Sequence, residues 1–216
     1  MIRSPRRSLR ADTGGLALIE FAFTLPVIVT LLLFGLETAN YVIAAMRVHQ
    51  IAAVSADNAA RVRDSINEAD VNEVLTGGKI VGESMDFAAR GRIVLSDVLP
   101  NGQTGTNAGQ TILWQRCAGA LQIPESVPRY GVQGKGATDG TLPFMGAATR
   151  TVAASTNSAM VFAEVTYRYK PVVSEAIYGT PIMRSEASFT VRERTAETLG
   201  VGPSGTIGRT CGRYDL

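Results

Sequence analysis

The sequence predicts an α+β protein that combines one long N-terminal helix with a small antiparallel β-sheet. Three observations support this fold class. Residues 16–36 are almost entirely apolar, an Ala-rich stretch with helical periodicity follows them, and two later segments alternate between apolar and polar residues. The chain has 216 residues, which leaves room for one membrane segment and one domain of ordinary size.

The apolar stretch is long enough to cross a membrane. From Leu16 to Leu36 a helix would be about 31 Å long, against a bilayer core of roughly 30 Å. Glu20 is its one charged residue. A carboxylate within an apolar span costs on the order of 2 to 3 kcal/mol near the centre and less near an end. Glu20 therefore either serves a function or reaches the lipid headgroups near the cytoplasmic side.

An amphipathic segment follows the span and predicts that the helix continues to about residue 76. Small and apolar residues recur there at steps of three and four, and charged residues mark the opposite face. Gly77 and Gly78 provide an end signal. A narrow, Ala-rich stripe on a lone helix is unstable in water, so we expect it to pack on the C-terminal domain. The stripe comprises Tyr41, Ala45, Val48, Ala52, Ser55, Ala59, Val62, Ile66 and Ala69.

Four strands are predicted in the remaining chain. Residues 92–96 and 111–117 form short apolar runs, whereas 161–169 and 183–192 alternate with a period of two. The last two are expected to pair in antiparallel fashion. The region 119–157 is rich in Gly, Pro, Ser and Thr and predicts an irregular surface excursion, where function often varies.

Charge placement orients the span. Arg3, Arg6, Arg7 and Arg10 precede it with only Asp12 against them, and basic residues beside a span stay in the cytoplasm. The two cysteines, Cys117 and Cys211, then lie on the outer side, where an oxidising compartment favours a disulfide. Closing that loop would contribute roughly 4 to 5 kcal/mol in the chain-entropy model. The alternative is two unrelated buried thiols.

The sequence contains few of the residue patterns that are typical of enzymes or of cofactor-binding proteins. His49 is the sole histidine and falls on the predicted helix just outside the membrane, where a surface position is the simplest interpretation. Cys and His residues with metal-site spacing are missing from the sequence. The segment 131–136 is Gly-rich but has no strand before it and no helix after it. A net charge of +2 gives no case for nucleic-acid binding. We therefore expect no enzyme activity, no cofactor and no bound metal.

The N-terminal segment resembles the processing site of type IV pilin-like proteins. In that family a prepilin peptidase cuts after a Gly, and the mature chain carries Glu at its fifth position, often followed by an aromatic residue. Cleavage between Gly15 and Leu16 would make Glu20 fifth and Phe21 sixth. The wider stretch 14–45 is similar to the TadE-like minor pilins of the tight-adherence (Tad) pilus system. The segment 165–171 has a weaker similarity to the same family. The residues that carry the wider likeness are Glu20, Phe21, Pro26, Leu31, Leu32, Leu33, Phe34, Gly35 and Glu37.

Three interpretations of the N-terminus remain open. A cleaved secretory signal would have a shorter apolar region and a small-residue site after it, for which 42–44 is a poor candidate. An uncleaved anchor would keep residues 1–15. A prepilin-type leader, removed after Gly15, is favoured by the combination of a basic lead, the Gly and Glu spacing and an uninterrupted span.

The resemblance implies a pilin-like fold and a role in pilus assembly. We expect a leader at 1–15, a transmembrane helix at 16–40, its periplasmic continuation at 41–76 and a periplasmic α+β domain at 77–216. The implied partners are other pilins, the pilus assembly machinery, the prepilin peptidase and the inner membrane, for surface adhesion. Glu20 would meet the N-terminal amine of a neighbouring subunit. Glu37 is expected to be an interfacial residue. The alternative function is an uncleaved, anchored periplasmic scaffold or binding domain.

Overall fold

The computed structural model describes residues 14–147, 149–156 and 158–215. These residues form two compact units. The first holds the described residues up to Tyr41 together with Pro171–Gly179, and the second holds Val42–Lys170 and the residues from Thr180 onward. The basic part of the predicted leader, with its four arginines, lies outside the described residues.

Helix α1 spans Gly14–Ala60 and has 47 residues. It includes Pro26, which removes one backbone donor but leaves the helix continuous. The hydroxyl of Thr30 donates to the Pro26 carbonyl at 2.7 Å, so this polar side chain is satisfied within the helix. Gly14 and Gly15 are helical, whereas a protease needs an extended, accessible backbone.

The prediction of one helix to residue 76 is wrong. Helix α1 ends at Ala60, strand β1 covers Asp64–Asn67, and helix α2 covers Glu68–Val81. The chain turns at Asp64, whose φ of 57° is left-handed. Asn67 then caps α2: its side chain accepts from Ala69 and Asp70 N–H groups, and the Asp70 carboxylate accepts from the Asn67 N–H. The sequence pattern does not reveal this break, because Ile66 is buried in the strand just as it would be in a continuous helix.

The glycine pair does not end the helix, and one of the two, Gly78, has a packing role. Both glycines lie inside α2, which ends at Val81. A Cβ atom on Gly78 would lie 2.6 Å from Ser55 Oγ and 2.7 Å from Ile93 Cδ1, so only glycine allows α2 to approach this closely. The contact joins α1, α2 and the sheet, and it confirms that the Ala-rich stripe packs within the chain's own domain. Val48, Ala52, Ser55 and Ala59 of the predicted stripe are buried, whereas Ala45 is exposed. The buried face also includes Ala44, Ile51 and Ala56, which the prediction left out.

The main sheet has four antiparallel strands, which confirms the predicted α+β class. They are β2 (Gly91–Pro100), β3 (Gln110–Ala118), β4 (Met160–Arg168) and β5 (Ile182–Thr190), in the order β3-β2-β4-β5. The predicted pairing of the two alternating segments is confirmed. Strand β6 (Arg194–Gly200) pairs in parallel with β1 in a separate two-stranded sheet that the sequence did not predict. The chain also contains two one-turn α-helices, α3 (Phe87–Arg90) and α4 (Glu175–Tyr178), and short 3₁₀ turns at Glu83–Met85, Gly105–Asn107 and Pro124–Ser126.

The region 119–157 covers the second face of the sheet, so its description as a surface excursion is incomplete. Leu142 and Met145 pack against four sheet residues, Val98, Ile112, Met160 and Phe162. Strand β4 is consequently buried on both faces. Its alternating pattern suggested one solvated face, because Glu164 and Thr166 are polar, yet both are buried.

A disulfide and a buried arginine help to fix the C-terminal tail. The structure contains the Cys117–Cys211 disulfide that the sequence predicts. Next to it the buried Arg92 guanidinium donates to the carbonyls of Gly119, Cys211 and Arg213 at 2.9, 2.6 and 2.7 Å and lies 3.9 Å from the Tyr214 ring centroid. A guanidinium can donate five hydrogen bonds from one planar group, which suits it to bind several carbonyls of one tail.

A buried ion pair joins α1, β2 and β6. Arg194 and Asp97 have fully buried side chains and lie 3.1 Å apart, and Glu197 binds the same guanidinium at 3.0 Å. Arg194 also donates to the Ala59 carbonyl at 2.8 Å, where a cation opposes the negative end of the helix dipole. Burial raises the pKa of Asp97 to about 7, against the attraction of Arg194.

Glu164 gives the domain a testable pH dependence. Burial raises the pKa of Glu164 to about 7, with a further increase from Glu186, while the Arg129 N–H and the charges of Arg129 and Arg184 oppose the change. The folded state therefore holds a proton that the unfolded state releases near its ordinary pKa of 4.5. The contribution of this group to stability is consequently lost as the pH rises from about 4.5 to 7.

We predict that Glu164→Gln stabilises the full chain at pH 8 by up to about 3 kcal/mol and is nearly neutral at pH 4.5, since a protonated Glu and a Gln are similar in shape and both uncharged. Unfolding midpoints of both chains in detergent, measured across this pH range, check the prediction. A difference between the chains that does not change with pH would contradict it.

Candidate membrane and assembly segment

The first half of α1 is an exposed apolar surface. Among the described residues, one helix is long and apolar enough to cross a membrane, and its most apolar window is not buried at all. An apolar surface of this extent is typical of contact with lipid or with other apolar helices. The length and composition of this helix are consistent with membrane anchoring. Its exposed large side chains include Leu16, Leu18, Ile19, Phe21, Phe23, Val27, Ile28, Leu31, Leu32, Phe34 and Leu36.

The predicted processing and assembly residues occupy the first turns of α1. Leu16 and Phe21 expose 70% and 58% of their surface, and Glu20 is also exposed. Leu16 and Glu20 are four residues apart, so they lie one turn apart on the same face of the helix. A Cβ atom on Gly15 would meet nothing within 4 Å, so glycine there is not required by packing in this chain.

Glu37 differs from Glu20 in burial and in its hydrogen-bond partners. Its side chain is fully buried. Carboxylate oxygen Oε2 accepts hydrogen bonds from the backbone N–H groups of Val172 at 3.1 Å and Val173 at 2.7 Å. A charged acceptor shared by two backbone donors is among the stronger hydrogen-bond arrangements in proteins. Glu37 thus fastens the segment Pro171–Gly179, here named the clasp, to the helix at the end of the apolar span.

Aromatic contacts hold the other end of the clasp. The Tyr178 ring stacks on Tyr41, with centroids 5.1 Å apart, and lies 6.0 Å from the Phe34 ring. Its hydroxyl is 3.0 Å from Thr38 Oγ1. The short helix α4 places this ring, and the Ser174 hydroxyl caps α4 by accepting from the Ala176 N–H. The helix residues that contact the clasp recur at helical spacing along one face and include Phe34, Glu37, Thr38 and Tyr41.

Sequence patterns did not reveal the clasp. Glu37 was expected to be an interfacial residue, and the carboxylate does follow the last residue of the span. Its partners lie 135 and 136 positions away. They are backbone groups, and these carry no residue-specific signal. The only hint was the weak family likeness of the segment that ends at Pro171.

The structure places the sole histidine and the candidate metal ligands as follows. His49 is exposed, as predicted, and its Nδ1 lies 3.0 Å from Ser185 Oγ. Among residues 14–147, 149–156 and 158–215, no group of three or more His, Cys, Asp or Glu side chains could hold a metal ion. Trp114 and Tyr167 are core residues.

Taken together, an exposed apolar helix and a separate α+β unit define a candidate single-span membrane protein. Residues 15–61 match the family model described as TadE-like protein. The match confirms the predicted resemblance over this segment, which coincides almost completely with α1 and is less than a quarter of the chain. It is consistent with a component of Tad pilus systems. No curated protein matches the chain, and no solved structure matches it either.

We predict that Glu37→Ala loosens the clasp, because the N–H groups of Val172 and Val173 lose a charged acceptor worth about 1.5 to 3 kcal/mol. Amide hydrogen exchange of 171–179 in the full chain in detergent should then become roughly tenfold to a hundredfold faster. Glu37→Gln keeps an acceptor oxygen and should give a smaller increase.

Glu175→Gln is the matched control, since this carboxylate lies in the clasp but is exposed. Equal exchange rates in the Glu37→Ala chain and the control would show that Glu37 does not hold the clasp.

Proposed function

We propose that the chain is a minor pilin of a Tad-type pilus, processed by a prepilin peptidase between Gly15 and Leu16. The observation that carries the proposal is Glu20, a carboxylate exposed on the surface of an apolar helix. The TadE-like match over 15–61 supports the family context. The protein would act by assembly with other pilins, and TadE-like pilins are structural components of the pilus.

Processing would create the partner that Glu20 needs. Cleavage leaves a charged amine on Leu16, within the same apolar surface. An ammonium and a carboxylate that meet in lipid offset much of each other's desolvation cost, whereas either alone costs several kcal/mol. Pairing of Glu20 with the Leu16 amine of a neighbouring subunit would therefore join the two helices and set their axial register.

The basic lead before the span supports an N-terminus in the cytoplasm and a domain in the periplasm. The Cys117–Cys211 disulfide fits this orientation, because such bonds persist in the oxidising periplasm. In the inner membrane, the domain from residue 42 onward would then be available to the pilus assembly machinery.

An uncleaved, anchored scaffold is the second candidate. One observation favours it: Gly14 and Gly15 belong to α1, so the peptide bond to be cut lies in helical backbone. A peptidase that requires an extended substrate would first have to unwind this turn. Such an anchored protein would keep residues 1–15.

We predict that Glu20→Ala leaves the protein in the membrane fraction but reduces its incorporation into assembled pili at least about tenfold, since one partner of a desolvated charge pair is removed. Membrane fractionation and quantification of the protein in sheared pili measure the two effects separately.

Thr24→Ala, one turn further along the helix, is the matched control and should assemble normally. Normal piliation by Glu20→Ala would contradict the assembly role of Glu20, and loss from the membrane fraction would show that the substitution damages insertion instead.

A further inference from the structure

We propose that the clasp, Pro171–Gly179, docks in the outer membrane–water interface, with Val172 and the Tyr178 ring in the lipid headgroup region. The partner is the bilayer itself. This inference rests on the membrane span of the proposed function and adds a second membrane contact, made by a segment far along the chain.

The position of the clasp along the helix sets its depth. A bilayer core is roughly 30 Å thick, and about 40 to 45 Å with its headgroup regions. With Leu16–Leu36 centred in the core, Pro26 lies at the midplane. At about 1.5 Å per residue, Phe34 then lies about 12 Å and Tyr41 about 22 Å from the midplane. Glu37, Thr38 and Tyr41 therefore lie between the edge of the core, about 15 Å from the midplane, and the outer limit of the headgroups, and Phe34 lies about 3 Å inside the core.

The chemistry of Glu37 suits this depth. A carboxylate at the edge of the core must otherwise reach for water or pay a desolvation cost. Here the N–H groups of Val172 and Val173 supply hydrogen bonds at 3.1 and 2.7 Å. The same bonds satisfy two backbone donors of the clasp. A loop at the membrane interface needs such partners, since unpaired backbone groups are costly where water is scarce.

The side chains of the clasp fit an interface better than bulk water. Val172 exposes 66% of its surface, next to the apolar span. Phe34, Tyr41 and Tyr178 form one aromatic cluster. Tyrosine is enriched at membrane interfaces, where its ring meets the acyl boundary and its hydroxyl stays with polar groups. The cluster therefore resembles an aromatic belt built from both the helix and the clasp.

The charged residues of the first unit favour binding to a neutral lipid surface. The described part of the first unit, 14–41 and 171–179, contains no Lys or Arg, and its carboxylates are Glu20, Glu37 and Glu175. Within this unit, burial of apolar surface must therefore supply the affinity, and the exposed Lys170, directly before the clasp, is the adjacent basic side chain in sequence. Glu175 is exposed and can stay on the water side of α4.

Depth-dependent fluorescence quenching tests the proposal. Val172→Cys is introduced into the full chain and labelled with an environment-sensitive fluorophore. Among the described residues no cysteine is free, so the new thiol is the one that reacts. The protein is reconstituted in phosphatidylcholine vesicles, with lipids spin-labelled near the headgroup, lipids spin-labelled deep in the chains, or aqueous iodide as quenchers.

Two control positions are matched to it. Val201→Cys replaces a valine of the second unit that is 94% exposed, and Leu32→Cys replaces a residue within the span that is 67% exposed. We expect the Val172 label to be quenched at least about twofold more by the shallow spin label than the Val201 label, and at least about twofold less by iodide. The Leu32 label should respond to the deep spin label.

The outcomes separate the two proposals. Equal iodide quenching at Val172 and Val201, with Leu32 still protected, overturns docking of the clasp and leaves the membrane span intact. Iodide quenching at Leu32 overturns the span and the clasp proposal with it.

Discussion

The hydrogen bonds between Glu37 and the clasp satisfy the carboxylate that follows the apolar span, and they attach a distant segment of the chain to the helix at that point. The helix has no charge between Phe21 and Leu36, and a carboxylate lies at each side of that stretch. Glu37 is buried and bonded to backbone N–H groups of its own chain. Glu20 is exposed on the same helix. Because a carboxylate beside lipid needs donors, this difference suggests different partners, one within the chain and one from another subunit.

In the second unit, arginines bound to carbonyl oxygens fix the ends of chain segments. Arg194 donates to the Ala59 carbonyl in the last turn of α1, and it also pairs with Asp97 and Glu197. Arg92 donates to three carbonyls, two of them in the C-terminal tail beside the disulfide. Buried guanidinium groups suit this role because they remain charged and offer several donors in one plane. Together these contacts give the domain a fixed helix end and a fixed tail.

The features predicted from sequence are those with a local period. The span, the Ala-rich stripe and the pairing of β4 with β5 follow from composition and alternation over a few residues. The end of α1 was missed because buried Ile66 fits both a helix and the short strand β1, although Asn67 and Asp70 form a capping signal that sequence alone contains. The burial of Glu164 and the clasp could not be predicted, since both depend on segments that meet across long sequence separations.

Processing after Gly15 is the central claim, because the proposed partner of Glu20 exists only once Leu16 carries a free amine. The most direct test is the intact mass of the protein extracted from native membranes. A chain that begins at Leu16 is the predicted result. A chain that still begins at Met1 would contradict the account and would favour the anchored scaffold.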